Sequence, residues 1–223
     1  MRIVLKDRVG LLGDVHAEDS LLADALARLG DSGIETILCV GDVADGPGNL
    51  DRACEFLASH HVITVGGNHD RWLLADTVRD LPDAHHRSQL APSSLAFLRS
   101  LPPTREFSSP MGQVMLCHGL GANDMAGVSA DDFGYALESN FELQSLIRER
   151  AFDVILNGHT HKPMVRRLGQ LTVVNAGTLF RHHTPGYVVI DFSSGDVTWH
   201  GLAGSAGEGR LLGTIRANAM DAG

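Results

Sequence analysis

The sequence is short of the residues that nucleic acids and membranes demand. Aromatic side chains number only 12 (Phe 8, Trp 2, Tyr 2), too few for the stacking platforms on which single-stranded nucleic acid lies. Positive charge is scarce as well: 18 Lys and Arg against 27 Asp and Glu leave a net charge of −9. No basic surface is on offer to neutralise a run of phosphates, and no stable nucleic-acid partner is expected. No apolar run approaches the ~20 residues of a membrane span, and Lys6, Asp7 and Arg8 interrupt Ile3-Val4-Leu5 before it could act as a secretory signal. Cysteine is limited to Cys39, Cys54 and Cys117, which are far apart and form no CxxC pair, so neither a disulfide framework nor a thiolate zinc site is indicated. The expectation is a cytoplasmic protein without a membrane partner, its cysteines acting as small buried hydrophobes. Nothing in the sequence signals an oligomeric state.

What the chain does have is apolar material and histidine. At 223 residues and 43% hydrophobic content, a single domain can bury roughly 70% of the surface its unfolded chain exposes. That domain is expected over residues 1–203, followed by a Gly- and Ala-rich tail at 204–223 whose strong apolar anchors are Leu211, Leu212 and Ile215. Short β-rich runs alternate with helical patterns in the first third, as in βαβ units around a largely parallel sheet. The runs are Val9 to Gly13, Thr36 to Val40 and Val62 to Val65; between them, Leu22, Ala25, Leu26 and Leu29, then Leu50, Ala53, Cys54 and Leu57, recur at helical spacing. A strand pair joined through Pro110-Met111-Gly112 and a long loop from Gly119 to Tyr135 follow, the loop being of a length that compact domains usually keep for function. The runs Met164 to Leu168, Leu171 to Asn175, Tyr187 to Asp191 and Val197 to Leu202 read as an antiparallel meander.

Twelve histidines stand out, because imidazole is the commonest metal ligand and titrates near neutrality. The adjacent pairs His60/His61, His85/His86 and His182/His183 read as ordinary surface residues. The others cluster: five strand-like runs each end in potential ligands. Val9 to Gly13 leads into Asp14-Val15-His16, Ile37 to Gly41 into Asp42, Val62 to Gly67 into Asn68-His69-Asp70, Val114 to Cys117 into His118, and Val154 to Gly158 into His159-Thr160-His161. Ligands of open α/β sheets collect at the carboxyl ends of strands. Residues two apart on extended chain share a face, so Asp14 with His16, and His159 with His161, can each offer two side chains to one cluster. Imidazole, carboxylate and amide oxygen without thiolate suit manganese, iron, zinc or nickel rather than a closed structural zinc site.

Singly these motifs are common; together and in this order they resemble the calcineurin-like metallophosphoesterase superfamily. Its pattern of DxH, GDxxD, GNH[DE], an isolated H and GHxH stands here as Asp14-Val15-His16, Gly41-Asp42-Val43-Ala44-Asp45, Gly67-Asn68-His69-Asp70, His118-Gly119 and Gly158-His159-Thr160-His161. Compact size and Asn175-Ala176-Gly177-Thr178 make the chain similar to the small bacterial and archaeal phosphodiesterase branch. The resemblance implies an α/β fold, a four-layer αββα sandwich, with two divalent metal ions, manganese first and iron, nickel or zinc as alternatives. Asp42 would bridge them; one ion would take Asp14, His16 and His161, the other Asn68, His118 and His159. Ions about 3.5 to 4 Å apart activate water and clamp an in-line displacement at phosphorus, and their charge draws a small phosphate ester to a protein of negative net charge. His69, outside that ligand set, would be the catalytic residue that protonates the leaving oxygen as general acid or orients the phosphate. Asp45 or Asp70 would hold its ring, Asp45 being favoured because Asp70 also suits the N-terminus of a helix.

The resemblance implies a phosphoesterase for small phosphodiesters, nucleotides or phosphomonoesters. Protein serine/threonine phosphatases of the superfamily continue GDxxD with Arg-Gly, whereas Gly46-Pro47 follow Asp45 here, which disfavours a protein substrate. Arg71 and Arg181 are the candidate replacement cations, with surface ion pairing the stronger reading for each. A repair nuclease on this fold would want an added basic module, and a protein-interaction scaffold, like the metallophosphoesterase-like subunit of the retromer, would have no use for His69.

Overall fold

Strands apolar on both faces must be covered on both, and here two sheets cover each other. The computed structural model describes residues 3–5, 7–77, 80–202 and 209–216. One sheet is built on β2 (Arg8–Leu12), β3 (Thr36–Cys39) and β4 (Ile63–Thr64), which run parallel. It is extended on the other side of β2 by β10 (Gly186–Asp191), β11 (Asp196–Gly201) and β12 (Arg210–Thr214), giving the order β12-β11-β10-β2-β3-β4. The second sheet has the order β1-β5-β6-β7-β9-β8, with β1 (Ile3–Val4), β5 (Thr104–Ser109), β6 (Gly112–Cys117), β7 (Val154–Asn157), β8 (Met164–Leu168) and β9 (Leu171–Asn175). In it β6, β7 and β9 run parallel.

The period of two along each strand sorts side chains into three apolar layers. Leu11, Leu38, Val40, Val188 and Ile190 of the first sheet meet Phe107, Val114, Leu116, Val154 and Leu156 of the second in a core between the sheets. Their sequence neighbours Leu12, Ile37, Cys39 and Val189 face outward and are covered by α1 (Asp19–Asp31) and α2 (Leu50–Ser59). The buried stripes of these helices, Leu22, Ala25, Leu26 and Leu29 in α1 and Leu50, Ala53, Cys54 and Leu57 in α2, are those expected from helical spacing. Met115, Ile155 and Val173 form the outer face of the second sheet, under Leu143 and the buried Leu120 and Val128 of the long loop. Helix, sheet, sheet, helix is therefore the layer order. Four further helices complete the layers: α3 (Asn68–Leu74), α4 (Pro92–Ser100), and the pair α5 (Tyr135–Glu138) and α6 (Phe141–Glu149) on the second sheet's side.

One expectation needs correction. The last strands are not one meander: β8 and β9 form a hairpin in the second sheet, while β10 and β11 belong to the first, where β10 lies antiparallel to β2 with Tyr187 opposite Leu12. Turn residues predict hairpins but carry no information about which sheet the next strand joins. Within the expected tail, Arg210–Thr214 pair with β11, and the apolar anchor Ile215 is buried in the inter-sheet core. All three cysteines are free and buried, and among the described residues no helix is long and apolar enough to cross a membrane.

Phe107 is fully buried in the inter-sheet core. Phe107→Ala is expected to cost about 3–5 kcal/mol of stability, read as a lowered denaturation midpoint in guanidinium chloride with an unchanged slope.

Candidate metal centre

Both sets of parallel strands run out at the same end of the sandwich, and five chain turns there place buried polar side chains over the inter-sheet core. The turns are tight enough to force left-handed backbone on residues that avoid it: His16, Asp42, Asp45, His159 and His161 all have φ between 44° and 67°. Strain of this kind costs about 1–3 kcal/mol per residue and persists where the surroundings impose it. The glycines ahead of the ligands answer a different need. A Cβ on Gly67 would stand 2.2 Å from Asp42 Oδ1, and one on Gly158 would stand 2.2 Å from Asp14 Oδ1. The motif glycines are spaces into which a neighbouring turn's carboxylate fits.

The ligand candidates gather in two groups around Asp42. Asp14 Oδ2 lies 2.9 Å from His161 Nε2, which is 3.1 Å from His16 Nε2. On the other side His118 Nε2 is 3.1 Å from Asp42 Oδ2 and 3.0 Å from Asn68 Oδ1, and His159 Nδ1 is 3.1 Å from the same Asn68 oxygen. Asp14, His16 and His161 can share one ion, and Asp42, His118 and His159 another. His16, Asp42 and His69 also lie close enough together, but His69 is turned to another partner. An ion held at ~2.1 Å in octahedral geometry sets adjacent ligand atoms ~3.0 Å apart, the spacing found here. Ring orientations agree: His16 Nδ1 donates to Asp45 O at 2.7 Å and His118 Nδ1 to Val40 O at 3.0 Å, leaving each Nε2 lone pair facing the centre.

The electrostatics also call for a cation. Burial would raise the Asp14 carboxyl, yet His118 and His161 hold it below the ordinary range. Burial opposes ionisation of Asp42 too, and His118, His69 and His16 outweigh it. Burial alone would depress His118, but the Asp42 and Asp14 carboxylates carry it up to about 10. His16, where burial prevails, is pushed down to about 4. Buried carboxylates of this kind require compensating positive charge, and the converging imidazole, carboxylate and amide donors fit hard or borderline divalent ions.

His69 stands outside both groups. Its Nδ1 is 2.7 Å from Asp45 Oδ2, and its Nε2 is 4.0 Å from Asp42 Oδ2. Asp70 does not serve that ring. Its carboxylate accepts from the backbone N–H groups of Val43, Ala44 and Gly67, each at 2.9 Å, and so locks the Asp42–Asp45 loop onto the first turn of α3. Burial, with the Asp42 charge, raises its pKa to about 6. Of the two carboxylates expected to hold the His69 ring, Asp45 reaches it and Asp70 is tied to backbone instead. Arg71 grips Asp124 of the long loop with two hydrogen bonds of 2.6 and 2.8 Å, and Arg181 grips the buried Glu18 at 2.6 to 3.0 Å. Both are held in ion pairs.

Residues 8–195 match the calcineurin-like phosphoesterase superfamily domain. The chain belongs to that superfamily. As a metallophosphoesterase-fold protein it is 21% identical over 199 residues to an uncharacterized protein of Methanocaldococcus jannaschii, covering 83% of this chain and 75% of the relative. A metallophosphoesterase from Sphaerobacter thermophilus superposes with a TM-score of 0.65 at 21% identity over 88% of each chain. A hypothetical protein from Pyrococcus horikoshii does so at 0.69 and 18%, over 89% of this chain and 88% of its own. At these identities the solved structures speak for the shared fold.

Three supports of the centre escaped the sequence reading. His85, read as a surface residue, brackets Asp45: its backbone N–H donates to Asp45 Oδ1 at 2.9 Å, and its Nδ1 accepts from the Asp45 N–H at 3.2 Å. His183 Nδ1 lies 2.8 Å from His161 Nδ1, where it can fix that ring's tautomer. Asn175 and Thr178 tie the centre together, since Asn175 Nδ2 donates to Thr160 Oγ1 at 3.1 Å and Thr178 Oγ1 to Asp14 O at 2.9 Å. The segment had been noted as Asn175-Ala176-Gly177-Thr178, yet its linking role depends on the turn after β9, which no spacing discloses.

Because a Cβ at 158 collides with the Asp14 carboxylate, Gly158→Ala should damage the Asp14–His16–His161 group selectively. Equilibrium dialysis against manganese is expected to find one equivalent weakened at least tenfold and the other retained, with about 1–3 kcal/mol lost in stability.

Proposed function

We propose that this chain is a metal-dependent phosphoesterase that hydrolyses small phosphodiesters at a two-metal centre. One observation carries the reading: His69, held through Nδ1 by Asp45, presents Nε2 4.0 Å from the carboxylate that lies between the two ligand groups. A protonatable nitrogen stands beside the position a phosphate would take, fixed in orientation but not consumed as a ligand. Asp14, His16 and His161 would hold one divalent ion and Asn68, His118 and His159 the other, with Asp42 serving both. Manganese is the first choice for this donor set, with iron, nickel and zinc as alternatives. When bound, the pair of ions supplies the charge that polarises the phosphoryl group and activates water.

The remaining work belongs to the protein. His69 Nε2 donates a proton to the departing ester oxygen, and the Asp45 carboxylate keeps that nitrogen aimed by accepting from Nδ1. The Asp42 carboxylate is held from below by the His69 backbone N–H at 2.8 Å, so acid and bridging ligand are set by the same turn of α3. A scaffold on this fold would leave the His69–Asp45 pair without a purpose.

The test is turnover of an aryl phosphodiester and the matching monoester by metal-stripped protein reloaded with manganese, nickel, zinc or magnesium. Manganese-dependent turnover with the diester ahead is expected. His69→Ala is expected to lower kcat by 100-fold or more, within the roughly 10² to 10⁴ attributed to acid-base catalysis, while both metal equivalents stay bound. Unchanged turnover in that variant would remove His69 from the reaction. Asp42→Asn should lose at least one metal equivalent, by elemental analysis, together with nearly all activity; two retained equivalents would refute its bridging place.

A further inference from the structure

The metal centre grips a phosphate, which every substrate of such an enzyme shares, so selectivity must lie beside it. A cavity of about 220 Å³ opens next to His69, walled by Leu81, Pro82, Phe180 and the His69 ring, with Asp45 and Asp83 contributing acidic groups. We propose that this cavity receives the organic group on the oxygen that His69 protonates, and that it admits one uncharged ring while rejecting an anionic one. The proposal rests on the phosphoesterase reading and specifies its substrate.

Position, size and chemistry agree. His69 is both the proposed proton donor and a wall of the cavity, so a group entering there is attached to the oxygen that leaves. A cavity of about 150 Å³ holds benzene, and drug-sized pockets run from about 300 Å³ upward; 220 Å³ suits a single ring. Leu81 belongs to none of the three apolar cores and stays 44% exposed, leaving its side chain available to a ligand. The Phe180 ring is set edge-on to His16, centroids 5.4 Å apart, which fixes the opposite wall. Neither Lys nor Arg lines the cavity, so beyond the histidines His16, His69 and His161 a carboxylate or second phosphate on the ring would meet the acidic Asp83.

The wall is also tied to the acid. Gly46 N–H donates to Asp83 O at 3.0 Å, and the His85 N–H donates to Asp45 Oδ1 at 2.9 Å. The segment carrying Leu81 and Pro82 is thereby anchored to the carboxylate that orients His69, and cavity and proton donor keep a constant separation.

Calorimetric binding of three unreactive phosphonates to the manganese-loaded full chain tests this. Phenylphosphonate is expected to bind at least tenfold tighter than methylphosphonate and at least tenfold tighter than 4-carboxyphenylphosphonate. Leu81→Trp, at a wall residue that is not itself a ligand candidate, narrows the cavity and should abolish the phenyl advantage while leaving methylphosphonate affinity within twofold; Leu81→Ala should keep methylphosphonate binding while reducing the phenyl advantage. If methylphosphonate binds but the phenyl analogue gains nothing, or Leu81→Trp weakens both equally, the cavity is not the subsite, and the phosphoesterase reading survives. If no phosphonate binds the loaded protein, that reading falls and the subsite with it.

Discussion

Two buried carboxylates, Asp14 and Asp42, have to be kept ionised and close together where both sheets end, and much of the surrounding structure is organised around that demand. Neither can be hydrated, so each is met by histidines and by backbone N–H groups, His159 N–H for Asp14 and His69 N–H for Asp42. Meeting them closely requires turns that few residues adopt, hence the run of left-handed backbone at His16, Asp42, Asp45, His159 and His161, and it requires Gly67 and Gly158 where the carboxylates press against chain. The sandwich supplies the stiffness: strands locked on both faces by apolar layers hold their ends in fixed positions, and strain at the tips is sustained by packing below.

The order of layers follows from the same economy. A single sheet covered by helices could bring ligands from adjacent strand ends only along a line. Two sheets packed face to face bring ends from opposite sides, so that Asp14, Asp42 and Asn68 arrive from the first sheet and His118, His159 and His161 from the second. The centre therefore sits on the seam between the sheets.

Much of this was legible in the sequence, for identifiable reasons. Ligand tips were visible because each lies directly after a β-rich run, and local order along the chain survives folding. The helical stripes of α1 and α2 were visible because burial repeats at 3.6 residues whatever they pack against. Sheet membership was not: the stretch from Ala176 to Pro185 that joins β9 to β10 does not name the sheet the next strand enters, and only the tertiary pairing of β10 with β2 distinguishes a crossing from a hairpin. That Asp70 meets the N–H groups of Val43, Ala44 and Gly67 while Asp45 meets the His69 ring depends on backbone positions that no side-chain pattern reveals. His85 and His183 were missed because their contacts come from chain far away in sequence.

The insertion of β10 between β2 and β11 bears on how the protein is made. Val9 to Leu12 hydrogen-bond to Tyr187 to Ile190, more than 170 residues further along the chain, so the strand that delivers Asp14 and His16 keeps an unpaired edge until β10 has been made. Pairings of such long sequence separation are slow to form, and bare strand edges invite association with other chains. Asp14 and His16 are thus among the last of the ligand candidates to be fixed in place, and the candidate centre is complete only when β10 has joined β2.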